Sequence, residues 1–111
     1  MYNGLWTVTF STIIGSGSGV LVLNGNQALG GDFGYYYSGD INITDDQLSG
    51  AINVVKFNPN AVSVFGDIGS FTLQLTEGRI SSDSFDAEAT IAGNPNMTMR
   101  VRGEKKVDID E

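Results

Sequence analysis

The stretch Asn24-Gly-Asn-Gln-Ala-Leu-Gly-Gly-Asp-Phe-Gly-Tyr-Tyr-Tyr-Ser-Gly39 decides the fold of this 111-residue chain. It begins with Asn24-Gly25, the dipeptide that most strongly favours a two-residue β-hairpin turn. A Gly-Gly-Asp corner and a Tyr triplet follow, and the triplet begins the next strand. That strand ends at Thr44-Asp-Asp-Gln47, a turn favoured because Asx side chains hydrogen-bond their own backbone. The stretch therefore predicts tightly linked antiparallel strands.

Alternation of side chains with period two continues through most of the chain. Trp6, Val8 and Phe10 share one face of the first strand, and Phe85 to Ile91 shows the cleanest alternation. Short strands recur about every ten residues. Because closure removes exposed strand edges, we predict an all-β, eight-stranded antiparallel up-and-down barrel. A β-sandwich is the alternative, since periodicity does not reveal closure.

The length predicts one domain, with the barrel spanning residues 1–103. Within it, residues 59–65 lack alternation and are predicted to form a short helical turn. The glycines from Gly15 to Gly19 predict a flexible turn or a bulged corner. Residues 104–111 are rich in charge, and we expect them to form a frayed C-terminal tail.

The composition disfavours several classes of function. The chain has no Cys and no His, which excludes a thiol nucleophile and a His-based triad, so we predict no catalytic residues, no metal site and no cofactor. Six basic residues against thirteen acidic residues give a net charge of −7, which repels nucleic acid and attracts a basic protein. No apolar run reaches the ~18 residues of a membrane span, and no signal peptide is visible, so we expect a cytoplasmic protein.

The predicted barrel interior mixes large and small side chains. An eight-stranded barrel is either filled by its side chains or holds one small ligand. Close packing favours the filled interior. The alternative is a pocket above Trp6 that binds a small apolar molecule, although the sequence predicts few polar groups to orient it. The predicted interior residues are Trp6, Val8, Phe10, Ile52, Phe71, Leu73, Phe85 and Met99.

The candidate partner-binding residues are Tyr36, Asp45 and Asp46. Alternation places Tyr36 on the opposite face from Tyr35 and Tyr37, and exposed Tyr side chains are enriched at protein interfaces. Cross-strand packing of aromatic rings is the alternative interpretation of the triplet. Asp45 and Asp46 lie in the predicted acidic turn, where carboxylates are usually solvated.

Several features, in order along the chain, resemble the GrlR family of small negative regulators of type III secretion. They are Gly4-Leu5-Trp6-Thr-Val-Thr-Phe10, Gly19, Asn24-Gly25, Gly30-Gly31-Asp32, Tyr37-Ser38-Gly39 and the acidic turn before Leu48. The resemblance implies a lipocalin-like barrel that forms a homodimer and sequesters a DNA-binding transcriptional activator. It also implies an exposed acidic motif of four residues, of which Asp45 and Asp46 match and Thr44 and Gln47 depart.

Gly4-Leu5-Trp6 also resembles the Gly-x-Trp that opens the first strand of lipocalins. That resemblance implies that Trp6 closes one barrel end and packs against an Arg of the last strand, here Arg100 or Arg102. We therefore expect a non-catalytic, homodimeric protein-interaction module that binds a basic transcriptional regulator. The alternatives are a lipocalin-like barrel for a small apolar ligand, or an orphan domain that kept the fold without this function.

Overall fold

The structure is a computed structural model that describes residues 2–63, 65 and 69–109. None of these residues lies in a helix, and the described residues therefore include no helix that could cross a membrane. The strands are β1 (Gly4–Thr12), β2 (Gly15–Asn24), β3 (Gln27–Gly31), β4 (Tyr35–Thr44), β5 (Gln47–Lys56), β6 (Phe71–Ile80), β7 (Ser84–Ile91) and β8 (Asn94–Asp108).

The eight strands form a closed antiparallel barrel in sequence order. Each strand pairs with its neighbours along the chain, and β1 pairs with both β2 and β8. Closure leaves neither β1 nor β8 as an unpaired edge. The predicted eight-stranded up-and-down barrel is therefore confirmed, and the β-sandwich alternative is wrong.

The up-and-down order sorts the connections between strands into two groups. The connections that follow β1, β3, β5 and β7 lie at one end, which we call the open end. The chain start and the turns at 25–26, 45–46 and 81–83 lie at the opposite end, which we call the Trp6 end because β1 begins there. A residue in a loop at the open end therefore lies about one strand length away from a residue in a turn at the Trp6 end.

Two of the two-residue turns differ in type for a reason visible in the sequence. Asp45 and Asp46 both have positive φ, 53° and 64°, as a type I′ turn requires. The preceding hairpin instead has Gly25 and Asn26 at its centre, with positive φ at Gly25 alone. That pattern is typical of type II′, which places Gly first. The hairpin was predicted correctly, but its turn lies one residue later than the Asn24-Gly25 pair suggests.

Three predictions of local structure are wrong over the described residues. Gly15 to Gly19 belong to β2, and the turn before them is formed by the exposed Ile13 and Ile14. Residues 104–108 continue β8, where Val107 pairs with Leu5, because β1 offers them a backbone ladder. Residues 59–63 and 65 form no helix: Asn58 accepts a hydrogen bond from the Ala61 amide at 3.0 Å, closing a single turn. Residues 64, 110 and 111 of these predictions lie outside the described residues.

The Trp6 end of the interior is densely filled. Trp6 is completely buried, its ring centroid lies 5.4 Å from that of Phe85, and its indole N–H donates to the Tyr2 carbonyl at 3.0 Å. Val8 packs in the same cluster. A second cluster lies toward the open end and contains Leu73 and Met99, with Phe71 packed against it. Phe10 and Ile52 are partly buried and contact both clusters.

Lys105 takes the place expected for an Arg beside Trp6. Its ammonium nitrogen lies 5.7 Å from the centroid of the Trp6 ring, within the range of a cation–π contact. Arg100 and Arg102 point outward and pair with Glu88 and Asp86 at 3.5 and 2.9 Å. The resemblance-based expectation for the two Arg residues is thus wrong, because the alternation along β8 turns their side chains away from the interior.

Candidate functional site

The barrel interior contains a cavity of about 500 Å³. Ligand pockets in proteins commonly measure ~300–1,000 Å³. Phe33, Ala61 and Val62 line the cavity from loops at the open end, whereas Phe85 lines its deep part and packs on Trp6. The favoured expectation of a filled interior therefore holds only at the Trp6 end.

Small residues at inward positions create this space. Ala28 and Ala87 line the cavity at positions where larger side chains would occupy it. The larger lining groups are almost all aliphatic or aromatic, so the wall offers dispersion contacts and few hydrogen bonds. These groups are Val8, Phe10, Leu21, Leu23, Ile41, Leu48, Ile52, Val54, Phe71, Leu73, Leu75, Met99 and Val101.

A carboxylate and a phenol form the main polar group of the wall. Asp32 and Tyr37 both line the cavity, and the Tyr37 hydroxyl donates a hydrogen bond to Asp32 Oδ2. Asp32 Oδ1 accepts from the backbone amides of Gly34 and Tyr35, each at 2.9 Å. The Asp32 amide in turn donates to the Tyr35 carbonyl at 2.9 Å. The corner between β3 and β4 thus fixes the carboxylate at the open end of the cavity.

Gly19 leaves room for the Asp32–Tyr37 pair. A Cβ atom at Gly19 would lie 3.0 Å from the Tyr37 hydroxyl oxygen and 3.3 Å from the Asp32 Cβ. It would also approach the Gly31 carbonyl oxygen to 2.8 Å, and that backbone atom is held in the β2–β3 ladder. The absence of a side chain at this position therefore allows the pair to sit against the wall.

The environment of Tyr37 keeps its phenol protonated. Burial, followed by the hydrogen bond to Asp32, raises the pKa of Tyr37 far above its usual range. Phe10 packs edge-on against the Tyr37 ring, with centroids 6.5 Å apart. The phenol proton is consequently committed to Asp32 at neutral pH.

The outer edge of the open end is apolar. Ile13, Ile14, Phe33, Phe57 and Val62 are exposed on its loops, and Phe33 and Val62 also line the cavity. Four further lining groups at this end are polar: Ser16 and Ser18 at the start of β2, and Asn60 and Ser63 in the β5–β6 connection. The route into the cavity therefore passes mainly between exposed apolar side chains.

The three predicted partner-binding residues do not form one site. Tyr36 points outward near the open end and is 48% exposed. Asp45 and Asp46 lie exposed at the Trp6 end, at the other end of β4. Asp46 Oδ1 accepts a hydrogen bond from the Tyr2 hydroxyl at 2.9 Å, which raises the pKa of Tyr2. The acidic turn is thus present on the surface but stands apart from the aromatic candidate.

Sequence reasoning missed the polar pair of the cavity, although part of the signal was available. The alternation that turns Tyr36 outward turns Tyr37 inward, and a buried phenol usually has a hydrogen-bond partner. The Gly-Gly-Asp corner was recognised as a turn, but the side chain of Asp32 was not assigned to the interior. The expectation of few polar groups in the cavity therefore overlooked one well-fixed pair.

No protein-family model matches the chain, and no curated protein matches it significantly. The likeness to the GrlR family stays a prediction that depends on the residues quoted above. A function for this chain must therefore be argued from the cavity and the surface.

Proposed function

We propose that this protein binds one small apolar molecule inside its barrel, as a lipocalin-like carrier or sensor without catalytic activity. The observation that supports the proposal is the cavity of about 500 Å³ with its largely aliphatic and aromatic wall. The apolar part of such a wall accepts apolar guests, since water finds few polar partners there. Burial of apolar ligand surface contributes roughly 25 cal/mol per Å² to binding.

Filling the cavity should weaken binding of an apolar ligand. Ala87 is buried and lines the cavity, so Ala87→Leu inserts a larger side chain into the proposed binding volume. We expect about a tenfold loss of affinity for N-phenylnaphthylamine, a fluorescent apolar probe, because overpacking costs ~1–3 kcal/mol. The measurement is a fluorescence titration of each protein with the probe.

Ala51→Leu is the matched control. Ala51 lies on β5 opposite Asp40, does not line the cavity and should leave probe affinity unchanged. Native mass spectrometry of the purified protein provides a second test, because a bound apolar molecule would add a discrete mass. A wild-type protein that neither binds the probe nor carries such a mass would refute the proposal.

The acidic turn supports a second candidate function. We propose that Asp45 and Asp46 form a docking point for a basic protein, in line with the resemblance to a negative regulator that sequesters a transcriptional activator. On this proposal the protein acts as a cytoplasmic homodimer. Its support is the adjacent placement of two exposed carboxylates on a short turn that borders an open polar groove, whose lining has five acidic residues against Arg79 and Arg100. Such a surface attracts basic partners in a salt-dependent manner.

Replacing both carboxylates of the turn should abolish capture of a basic partner. The variant Asp45→Asn/Asp46→Asn is preferred to an Ala variant, because Asn tolerates the positive φ found at both positions. We expect the unfolding midpoint to change little and a pull-down of basic DNA-binding regulators to lose its captured protein.

The variant Asp40→Asn/Asp83→Asn removes the same charge from two other exposed positions and is the control for net charge. Equal loss of capture in both variants would assign the effect to net charge and not to the turn. Failure of the wild-type protein to capture any basic regulator would contradict this second function.

A further inference from the structure

We infer that the cavity selects an amphiphile whose polar end donates hydrogen bonds, a primary amine most strongly and an alcohol next, and that it disfavours a carboxylate. This inference depends on the proposed ligand-binding function and names the chemical class of the ligand. It follows from what Asp32 and Tyr37 offer to a guest and from the charge of the wall.

The Asp32–Tyr37 pair presents acceptors to the cavity. A carboxylate has about four acceptor positions, two on each oxygen. Gly34 and Tyr35 occupy both positions on Oδ1, and the Tyr37 hydroxyl occupies one on Oδ2. One position on Oδ2 is left for a ligand. Tyr37 directs its only O–H at Asp32, so its oxygen can serve a guest only as an acceptor. A ligand that contacts this pair therefore gains most by donating hydrogen bonds to it.

The charge of the cavity wall also favours an amine head over a carboxylate head. Asp32 is the one ionisable acid or base, apart from tyrosine, among the described residues that line the cavity. A ligand carboxylate would approach Asp32 with no Lys or Arg of the described lining to compensate it, and like charges repel more strongly at a protein surface than in bulk water. A primary ammonium would instead form a charge-assisted hydrogen bond, which is roughly twice as strong as a neutral one.

The position of the pair suits the head of an amphiphile. Asp32 is only partly buried and lies at the open end, so a polar head can keep some of its hydration. From there the apolar wall continues inward to Leu23, Ile41 and Phe85. A single alkyl chain with its head at Asp32 would therefore place its tail along that wall.

The test compares ligands that share one chain and differ in the head. Dodecylamine, dodecanol and dodecanoate are each titrated against the complex with N-phenylnaphthylamine at neutral pH, below micelle formation. We expect dodecylamine to bind at least about tenfold more tightly than dodecanoate, because a hydrogen bond to a charged group exceeds a neutral one. Dodecanol should fall between them. Dodecyltrimethylammonium carries the charge without an N–H donor and should bind more weakly than dodecylamine.

Asp32→Asn removes the charge and keeps an oxygen that can accept from the Gly34 and Tyr35 amides. We expect the amine-to-carboxylate ratio to fall to within about threefold in this variant. Asp40→Asn removes one exposed charge on β4, away from the cavity, and should leave the ratio unchanged, which controls for nonspecific attraction of amines to an acidic protein. Tyr37→Phe keeps the carboxylate and should retain the preference for the amine.

The possible outcomes separate the inference from the proposed function. If the fluorescent probe does not bind the wild-type protein, the ligand-binding function fails and the head-group preference fails with it. If the probe binds and the wild-type protein binds dodecanoate as tightly as dodecylamine, the head-group preference is refuted and the proposed ligand-binding function is retained. The wild-type comparison decides this even if Asp32→Asn does not fold. A folded Asp32→Asn variant that keeps the full preference also refutes the role of Asp32.

Discussion

Replacing Trp6 with Ala is expected to destabilise the protein by roughly 3–5 kcal/mol, the usual cost of truncating a buried aromatic residue. Trp6 is completely buried, packs on Phe85 at 5.4 Å and lies beneath the ammonium of Lys105. Truncation would leave a void at the filled end of the barrel. It would also remove the donor to the Tyr2 carbonyl. Because small domains are stable by only ~5–15 kcal/mol, the loss is a large part of the total.

The measurement is urea denaturation followed by far-UV circular dichroism, since the fluorescence of Trp6 is lost in this variant. Tyr36→Ala is the control, because Tyr36 is an aromatic residue on an outward face and is 48% exposed. Truncation at an exposed position should change stability by no more than about 1 kcal/mol. A near-neutral Trp6→Ala variant would mean that the side-chain register of β1 is wrong.

The fold was predictable because local signals agreed with one another. The turn residues divided the chain into strands, and period-two alternation assigned each side chain to one face. The same alternation predicted that Trp6 points into the barrel and that Tyr36 points outward. What it cannot supply is the end of a strand whose partner lies far along the chain. Residues 104–108 were predicted to fray because they are rich in charge, whereas their pairing depends on β1, about a hundred residues earlier.

The cavity could not be predicted for a different reason. Alternation gives the direction of a side chain but not the distance across the barrel to its facing neighbours. Ala87 was recognisable as a small residue on an inward face, yet small residues also allow large neighbours to pack closely. Gly17 and Gly103 provide that contrast, since Phe10 and Phe85 fill the space beside them. Only the three-dimensional arrangement separates the small residue that helps form a cavity from the small residue that a ring covers.

The polar groups were only partly predictable as well. Asp32 was recognisable as a turn residue, but the meeting of its carboxylate with Tyr37 depends on the backbone of the β3–β4 corner. Likewise, Lys105 lies an even number of residues after the inward-facing Met99 and Val101, so alternation along β8 predicts that it faces inward too. An expectation taken from lipocalins selected Arg100 or Arg102 instead. At this position, alternation along the strand was a better guide than the resemblance.

Replacing Gly103 with Ala is expected to cost about 2–3 kcal/mol, a large effect for one added methyl group. Gly103 pairs with Phe85 across β7 and β8. A Cβ atom at Gly103 would lie 2.0 Å from Phe85 Cε2 and 2.5 Å from both Cδ2 and Cζ. The ring would have to move, and it is held on its other side by Trp6. The cost comes from this collision, because Gly103 does not have the positive φ that would strain Ala.

A second substitution tests whether the collision with the ring is the cause. Phe85→Leu removes part of the ring and lowers stability by itself. In the double variant Gly103→Ala/Phe85→Leu, the added methyl group meets a smaller neighbour, so the combined loss should be at least about 1 kcal/mol less than the sum of the single losses. Gly15→Ala is the control, because a Cβ atom there meets nothing within 4 Å, and it should be neutral or slightly stabilising. Additive losses in the denaturation experiment would show that Gly103 and Phe85 are not coupled, and the account of glycine-to-ring packing at the Trp6 end would then be wrong.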